Sequence, residues 1–213
     1  MKQFYLLAVL TAICILPSCD YLMPDDTPIP QGIMLTNKDG LEGTYIISGA
    51  HSYLEKTTKW LSTPVDGEYT ASFCNTEVKK NVCYFDGKGP VFVGKTTFEV
   101  PSPNQTVSVP VEEITCMLSF KEGSGVKISK ALVAGVPNYM FIDGQFGQPT
   151  TVTLYDKGYV IATKNMEVSI SVDILDDSGR IKEMKVLETK IDAQPGHRYT
   201  LKVEANDISV TSN

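Results

Sequence analysis

Residues 167–174 read EVSISVDI, and this stretch decides the fold class of the chain. Its apolar residues alternate strictly with polar ones and are Val168, Ile170, Val172 and Ile174. Successive side chains of a β-strand point to opposite faces, so the alternation predicts a strand with one buried and one wet face. Turn residues follow at 176–179 (DDSG), and another strand is predicted at 181–187, so the sequence predicts a β-hairpin.

The same alternation recurs along the rest of the chain. It is clearest at 67–73 (GEYTASF), 113–120 (EITCMLSF) and 199–203 (YTLKV). Further strands are predicted at 44–48, 82–86, 90–100, 126–134, 139–142, 151–155, 159–163 and 181–187. Asp-Gly dipeptides, which favour turns, occur at 39–40, 66–67, 86–87 and 143–144. Many short strands separated by regular turns are typical of a β-sandwich, so we expect an all-β protein.

One stretch departs from this pattern. Residues 51–62 (HSYLEKTTKWLS) place Tyr53, Trp60 and Leu61 on a weak apolar side, which favours a short helix. The β-branched pair Thr57-Thr58 and the absence of capping residues disfavour it.

A proline-rich stretch at 101–111 predicts a boundary between two domains. It contains Pro101, Pro103 and Pro110, and proline is poorly tolerated in central strands. We therefore expect an N-terminal β-sandwich at 31–110 and a C-terminal β-sandwich at 111–213, packed end to end.

The charge balance argues against several classes of function. The 213 residues include 19 basic and 25 acidic ones, for a formal net charge of −6. Arginine occurs only at Arg180 and Arg198, so there is little material for a basic, nucleic-acid-binding face. The two histidines, His51 and His197, leave equally little for acid–base catalysis or a zinc site.

The N-terminus predicts export and a lipid anchor. Residues 1–19 read MKQFYLLAVLTAICILPSC, in which a lysine precedes an apolar run that is too short to span a bilayer. The end of the run resembles the lipobox of bacterial lipoproteins, with Leu16 at −3, Ser18 at −1 and the obligatory Cys19 at +1. Pro17 departs from the usual residue at −2. An ordinary cleaved signal with an incidental cysteine is the alternative.

The lipobox implies a signal peptide at 1–18 and attachment of diacylglycerol to Cys19, with acyl chains such as palmitate holding the protein at the outer membrane. Residues 19–30, rich in proline and aspartate, predict a flexible tether. Acidic residues just after Cys19 resemble the surface-export signal of Bacteroidetes lipoproteins. They favour a location on the cell surface, although a solvated spacer would look the same.

Three cysteines remain in the body of the chain. A hairpin centred between Val78 and Lys79 would place Cys74 directly opposite Cys83, within the distance range of a disulfide. The same register would pair Phe73 with Tyr84. This leaves two alternatives, a disulfide between Cys74 and Cys83 or two buried free thiols. Cys116 lies in phase with core residues and is expected to be a buried thiol.

No recognisable catalytic or metal-binding motif is present. Ser124 and Lys127 match S-x-x-K, but they lie in a glycine-rich turn without the helix and partner motifs of that chemistry. We expect no enzymatic activity, no cofactor and no metal. The aromatic residues of the N-terminal half could instead form a sugar-binding platform, although aromatic residues in strands are more often core. They are Tyr45, Tyr53, Trp60 and Tyr69.

Three blocks resemble the fimbrial accessory and anchor lipoproteins of Bacteroidetes, a fimbrillin-like family. They are 63–77 (TPVDGEYTASFCNTE) leading into 81–85, then 113–120 through 126–139, and 167–174 through 199–203. The resemblance implies two tandem transthyretin-like Greek-key sandwiches and a lipid-anchored subunit of a type V pilus. Its implied partners are pilin or other fimbrial subunits, bound by β-strand contacts. Shaft subunits of this kind are cleaved after an arginine in the N-terminal domain, and no arginine precedes Arg180 here. An uncleaved anchor or accessory subunit is therefore implied.

Overall fold

The computed structural model describes residues 32–49, 53–62, 66–101 and 106–213. The predicted signal peptide (1–18), the tether (19–30) with Cys19, and His51 lie outside these residues. The described strands are β1 (Gly32–Asn37), β2 (Thr44–Gly49), β3 (Tyr53–Thr57), β4 (Trp60–Ser62), β5 (Gly67–Cys74), β6 (Glu77–Lys79), β7 (Val82–Tyr84), β8 (Phe92–Val100), β9 (Thr106–Val109), β10 (Val111–Glu113), β11 (Thr115–Glu122), β12 (Val126–Val136), β13 (Tyr139–Phe141), β14 (Thr150–Leu154), β15 (Lys157–Ile161), β16 (Met166–Leu175), β17 (Ile181–Ile191), β18 (Arg198–Val203) and β19 (Ile208–Ser212). The all-β expectation is confirmed. In these ranges no helix has the length and hydropathy to cross a bilayer.

The stretch that decided the fold class is the centre of the C-terminal half. It forms β16, in which Val168, Ile170 and Val172 are at most 1% exposed, as the alternation predicts. β16 pairs with β17 in the predicted hairpin. The turn is stabilised by Asp176, whose Oδ1 accepts hydrogen bonds from the backbone N–H groups of Ser178 and Arg180, both at 2.9 Å.

Two sheets enclose the C-terminal core. One has the strand order β14-β12-β16-β17 and the other β15-β11-β18-β19. Their facing sides bury one apolar cluster, in which each fully buried aliphatic side chain contributes about 1.5–3 kcal/mol to stability. The fully buried members include Leu118, Val133, Ile170 and Leu201.

The N-terminal half is built in the same way from sheets of order β4-β1-β9 and β10-β8-β5-β2-β3. Its core contains Ile47, Tyr69, Phe73 and Val109, each at most 2% exposed. The weak helical pattern at 51–62 does not produce a helix in the part that the structure describes. These residues form β3, paired with β2, and β4, paired with β1, because strand pairing and the burial of Leu61 override the weak helical pattern.

A fifth sheet, of three strands, joins the two halves of the sequence. It has the order β13-β7-β6, in which β7 comes from before the predicted boundary and β13 from after it. By internal contacts, residues 32–213 form one compact unit. The described part of the boundary stretch forms β9 and β10, which lie in different sheets on either side of Pro110. The division near residue 110 and the transthyretin-like topology stay predictions.

Candidate functional site

A cavity of about 540 Å³ lies on the face of the five-stranded sheet that is turned away from the N-terminal core. Val93 and Cys74 line it from this sheet, and Met140 and Phe146 line it from β13 and the segment that follows. The cavity is therefore formed where the sheet that joins the two halves meets the five-stranded sheet.

The lining is mostly apolar, with a small polar part. Lys95 and Glu112 supply opposite charges to it, and Ser72 is 8% exposed. Phe146 is an aromatic ring at the cavity that remains 48% exposed. The described residues contain no group of three His, Cys, Asp or Glu side chains that could hold a metal ion. The arrangement suits an apolar side chain or peptide segment better than a metal ion or a reacting group.

The cavity is bordered by a strand at the end of its sheet. β10 is the terminal strand beside β8 in the described ladder, and Pro110, Val111 and Glu112 contribute to the lining. The Ile114 N–H donates to the Val91 carbonyl at 2.9 Å. Because hydrogen-bonded and non-hydrogen-bonded pairs alternate in an antiparallel ladder, Val111 and Glu113 direct their main-chain groups away from β8.

This edge depends on one glycine. Gly94 lies opposite Val111, and a Cβ atom at Gly94 would overlap the carbonyl oxygen of Pro110. The absence of a side chain at Gly94 lets the chain cross from β9 to β10 close to β8.

The structure brings Cys74 and Cys83 together, but not in the predicted register. β5 is already paired on both sides, with β2 and β8. β7 pairs instead with β6, so Cys83 lies opposite Val78, and the predicted pairing of Cys74 with Cys83 and of Phe73 with Tyr84 is wrong. The reason is a tighter turn, in which Lys80 takes a positive φ of 53°. Both residues are nevertheless buried free thiols of one apolar cluster, although they belong to different sheets.

The three buried cysteines have different electrostatic environments. The hydrogen bond from Cys83 lowers the pKa of Cys74 to about 7, with help from Thr76, whose Oγ1 lies 3.1 Å from the Cys74 sulfur. The same hydrogen bond, together with burial, raises the pKa of Cys83. Cys116, as predicted, is a fully buried thiol of the C-terminal core, and burial raises its pKa to about 12.

The predicted aromatic platform does not form among the described side chains. Tyr45 and Tyr69 are 3% and 1% exposed and belong to the N-terminal core, whereas Trp60 is 41% exposed. The side chain of Tyr53 lies outside the described set.

A different aromatic cluster is present on the sheet that joins the halves. Tyr84 lies opposite Tyr139, with ring centroids 6.3 Å apart, and Phe141 meets Tyr139 edge-on at 5.5 Å. No local sequence pattern predicts this cluster, because residues 84 and 139 become neighbours only through the pairing of β7 with β13.

The remaining predicted residues have ordinary surroundings. Lys127 lies in β12, a strand, so the S-x-x-K match with Ser124 lacks the helix that its chemistry requires. The His197 ring stacks on Tyr199 with centroids 6.2 Å apart.

Comparison with known proteins gives fold likeness without close sequence likeness. No protein-family model matches the sequence, and no curated protein matches it. Among solved structures, a fimbrial assembly protein from Parabacteroides distasonis is 14% identical, with a TM-score of 0.50 over 85% of this chain and 98% of that one. The fimbrial anchor protein Mfa2 from Porphyromonas gingivalis is 10% identical, with a TM-score of 0.50 over 86% and 97%. A candidate cell adhesion protein from Bacteroides uniformis is 12% identical, with a TM-score of 0.51 over 87% and 98%. At these identities the likeness concerns the fold: the chain has the all-β fold of Bacteroidetes fimbrial assembly and anchor proteins, as the resemblance of its sequence blocks implied.

Proposed function

We propose that this chain is a non-enzymatic outer-membrane lipoprotein that anchors or assists a fimbria, a type V pilus, at the cell surface. Its partners are pilin or other fimbrial subunits, bound through β-strand contacts. The fold likeness to a fimbrial assembly protein and a fimbrial anchor protein supports this assignment. The observation that carries it is the apolar cavity directly beside the terminal strand β10.

The geometry suits the addition of a strand from a partner. An extended segment placed along β10 can pair with the main-chain groups of Val111 and Glu113. Alternate side chains of that segment point to one face, where the cavity accepts apolar groups against Val93 and Phe146. Main-chain pairing then supplies affinity, and the cavity selects the register.

The lipid supplies the attachment to the membrane. Acylation of Cys19 follows from the lipobox, and each buried methylene contributes about 0.8 kcal/mol, so two or three chains hold the protein stably. The proline- and aspartate-rich tether at 19–30 would separate the β-domains from the bilayer.

The test is recovery of partners from intact cells. The full chain, with an affinity handle, is cross-linked on the surface of the bacterium that produces it, purified and analysed for co-purifying proteins. We expect a pilin or another fimbrial subunit, recovered severalfold less with Phe146→Ala, which removes an apolar ring of the cavity. Tyr155→Ala is the matched control, because Tyr155 is a 73% exposed aromatic outside the cavity lining. Recovery of no fimbrial subunit, or equal losses in both variants, would contradict the proposal.

A second candidate function is the binding of surface glycans, and the cluster of Tyr84, Tyr139 and Phe141 favours it. Tyr84 and Phe141 are 41% and 40% exposed, and exposed rings stack on sugar faces. Glycan-array binding that is lost in Tyr84→Ala and retained in Phe146→Ala would support this function over strand addition.

A further inference from the structure

Cys74 and Cys83 meet at the junction of two sheets. Cys74 is the last residue of β5 in the five-stranded sheet, and Cys83 is the middle residue of β7 in the sheet that joins the halves. They are free thiols, 1% and 2% exposed, and both belong to the apolar cluster at this junction. Both residues line the 540 Å³ cavity.

The surroundings of the pair favour reaction at Cys74. The Thr76 hydroxyl lies 3.1 Å from its sulfur. Cys83 and Thr76 lower the pKa of Cys74, which favours its thiolate, and the thiolate is the nucleophile in disulfide exchange. Cys116 has no such help and belongs to the C-terminal core.

We propose that Cys74 and Cys83 are joined by a disulfide in the exported protein, and that this bond covalently links the five-stranded sheet to the sheet that joins the two halves. The oxidant is a disulfide-bearing thiol oxidoreductase or a small disulfide such as glutathione disulfide. The Cys74 thiolate attacks the oxidant's disulfide, forms a mixed disulfide and releases one thiolate. Cys83 then loses its proton and attacks the Cys74 sulfur, which releases the second. Two thiols thus lose two electrons and two protons, and the oxidant becomes two thiols.

The bond would fix the floor of the cavity. β7 carries Cys83 and also pairs with β13, whose Met140 lies opposite Cys83 and lines the cavity. A covalent link to β5 therefore holds both walls of the cavity at a fixed spacing, whatever partner the protein binds. The inference rests on the proposed export of the chain, but not on its fimbrial role.

Peptide mapping without reduction tests the proposal directly. The full chain is recovered from its exporting host, denatured with an alkylating reagent present, and digested with trypsin. Cleavage after Lys79, Lys80 and Lys88 separates the two cysteines, so the disulfide should appear as peptide 60–79 joined to peptide 81–88. Reduction should release both peptides. The peptide 96–121, which carries Cys116, should be alkylated and unpaired.

Two variants make the result specific. Cys116→Ala should leave the joined peptides unchanged, and Cys74→Ser should leave Cys83 as an alkylated thiol. If Cys74→Ser does not fold, the unreduced map of the wild type and of Cys116→Ala still decides. Full alkylation of Cys74 and Cys83 in the native protein, persisting after incubation with glutathione disulfide, would overturn the proposal. A bond from either residue to Cys116 would do the same.

Discussion

Cys83 in β7 lies directly opposite Met140 in β13, so residues 57 positions apart in the sequence are cross-strand neighbours in one small sheet. This pair belongs to an apolar cluster distinct from the N-terminal and C-terminal cores. The cluster contains residues from both halves, including Ile46, Val91, Ile114 and Ile161. The halves are thus connected by strand pairing and by shared core. A partner that engages the cavity beside β10 would contact both halves at once.

The proposed disulfide should stabilise the folded protein measurably. A bond that closes a loop of about ten residues removes enough unfolded-state entropy to contribute about 2.5 kcal/mol. Denaturant unfolding of the oxidised full chain should show this difference on addition of a reductant. The double variant Cys74→Ala, Cys83→Ala should show no dependence on reductant, and a wild type equally indifferent to reductant would contradict the expectation.

In the reduced protein, the alkylation rate of Cys74 should depend on pH differently from that of Cys116. Because the pKa of Cys74 is lowered to about 7, the rate of its alkylation should rise as the pH increases through about 7 and level off above it. The pKa of Cys116 is about 12, so its alkylation in the native state should stay slow over the same range. Mass spectrometry of alkylated peptides measures both rates, and a midpoint for Cys74 near 9 would show that its thiolate is not stabilised.

Substitution of a buried residue in β16 should lower the free energy of unfolding far more than substitution of an exposed residue in the adjacent strand β17. Ile170 is fully buried, and Ile170→Ala should lower the free energy of unfolding by about 2–5 kcal/mol through lost burial and a residual cavity. Val186 lies in the partner strand β17 but is 61% exposed, so Val186→Ala should change the free energy of unfolding by less than about 0.5 kcal/mol. Chemical denaturation of both variants gives the comparison, and similar losses would mean that the buried face has been misassigned.

The alternating pattern predicts strands well because it depends on local geometry alone. The alternate buried residues of β16 and its hairpin with β17 follow from period-two hydrophobicity and the turn at 176–179. The stretch 51–62 has only a weak pattern with features for and against a helix, and there the pairing of β3 with β2 and of β4 with β1 decides. A local signal that competes with non-local pairing cannot settle such a segment.

The cysteine pair illustrates the second limit. The sequence spacing singles out Cys74 and Cys83, which share one buried cluster, yet the predicted register is wrong because it required β5 to continue into a hairpin with β7. The cavity and the cluster of Tyr84 with Tyr139 were beyond prediction for the same reason. Both depend on the pairing of β7 with β13, a contact between distant segments that leaves no periodic trace in either.

A substitution at Gly94 should affect both the stability of the fold and the proposed binding of a partner at β10. A methyl group at Gly94 would overlap the Pro110 carbonyl, so Gly94→Ala must push β10 away from β8 or distort both strands. We expect a loss of about 1–3 kcal/mol in the free energy of unfolding, the usual cost of overpacking. Since β10 borders the cavity, less fimbrial subunit should co-purify with this variant from intact cells. The decrease should exceed the one expected from its lower stability alone. Gly89→Ala is the matched control, because Gly89 has no atom within 4 Å of an added Cβ. Comparison with Ile170→Ala, which destabilises the other core, separates the two effects. Normal subunit recovery by folded Gly94→Ala would place the contact surface away from β10.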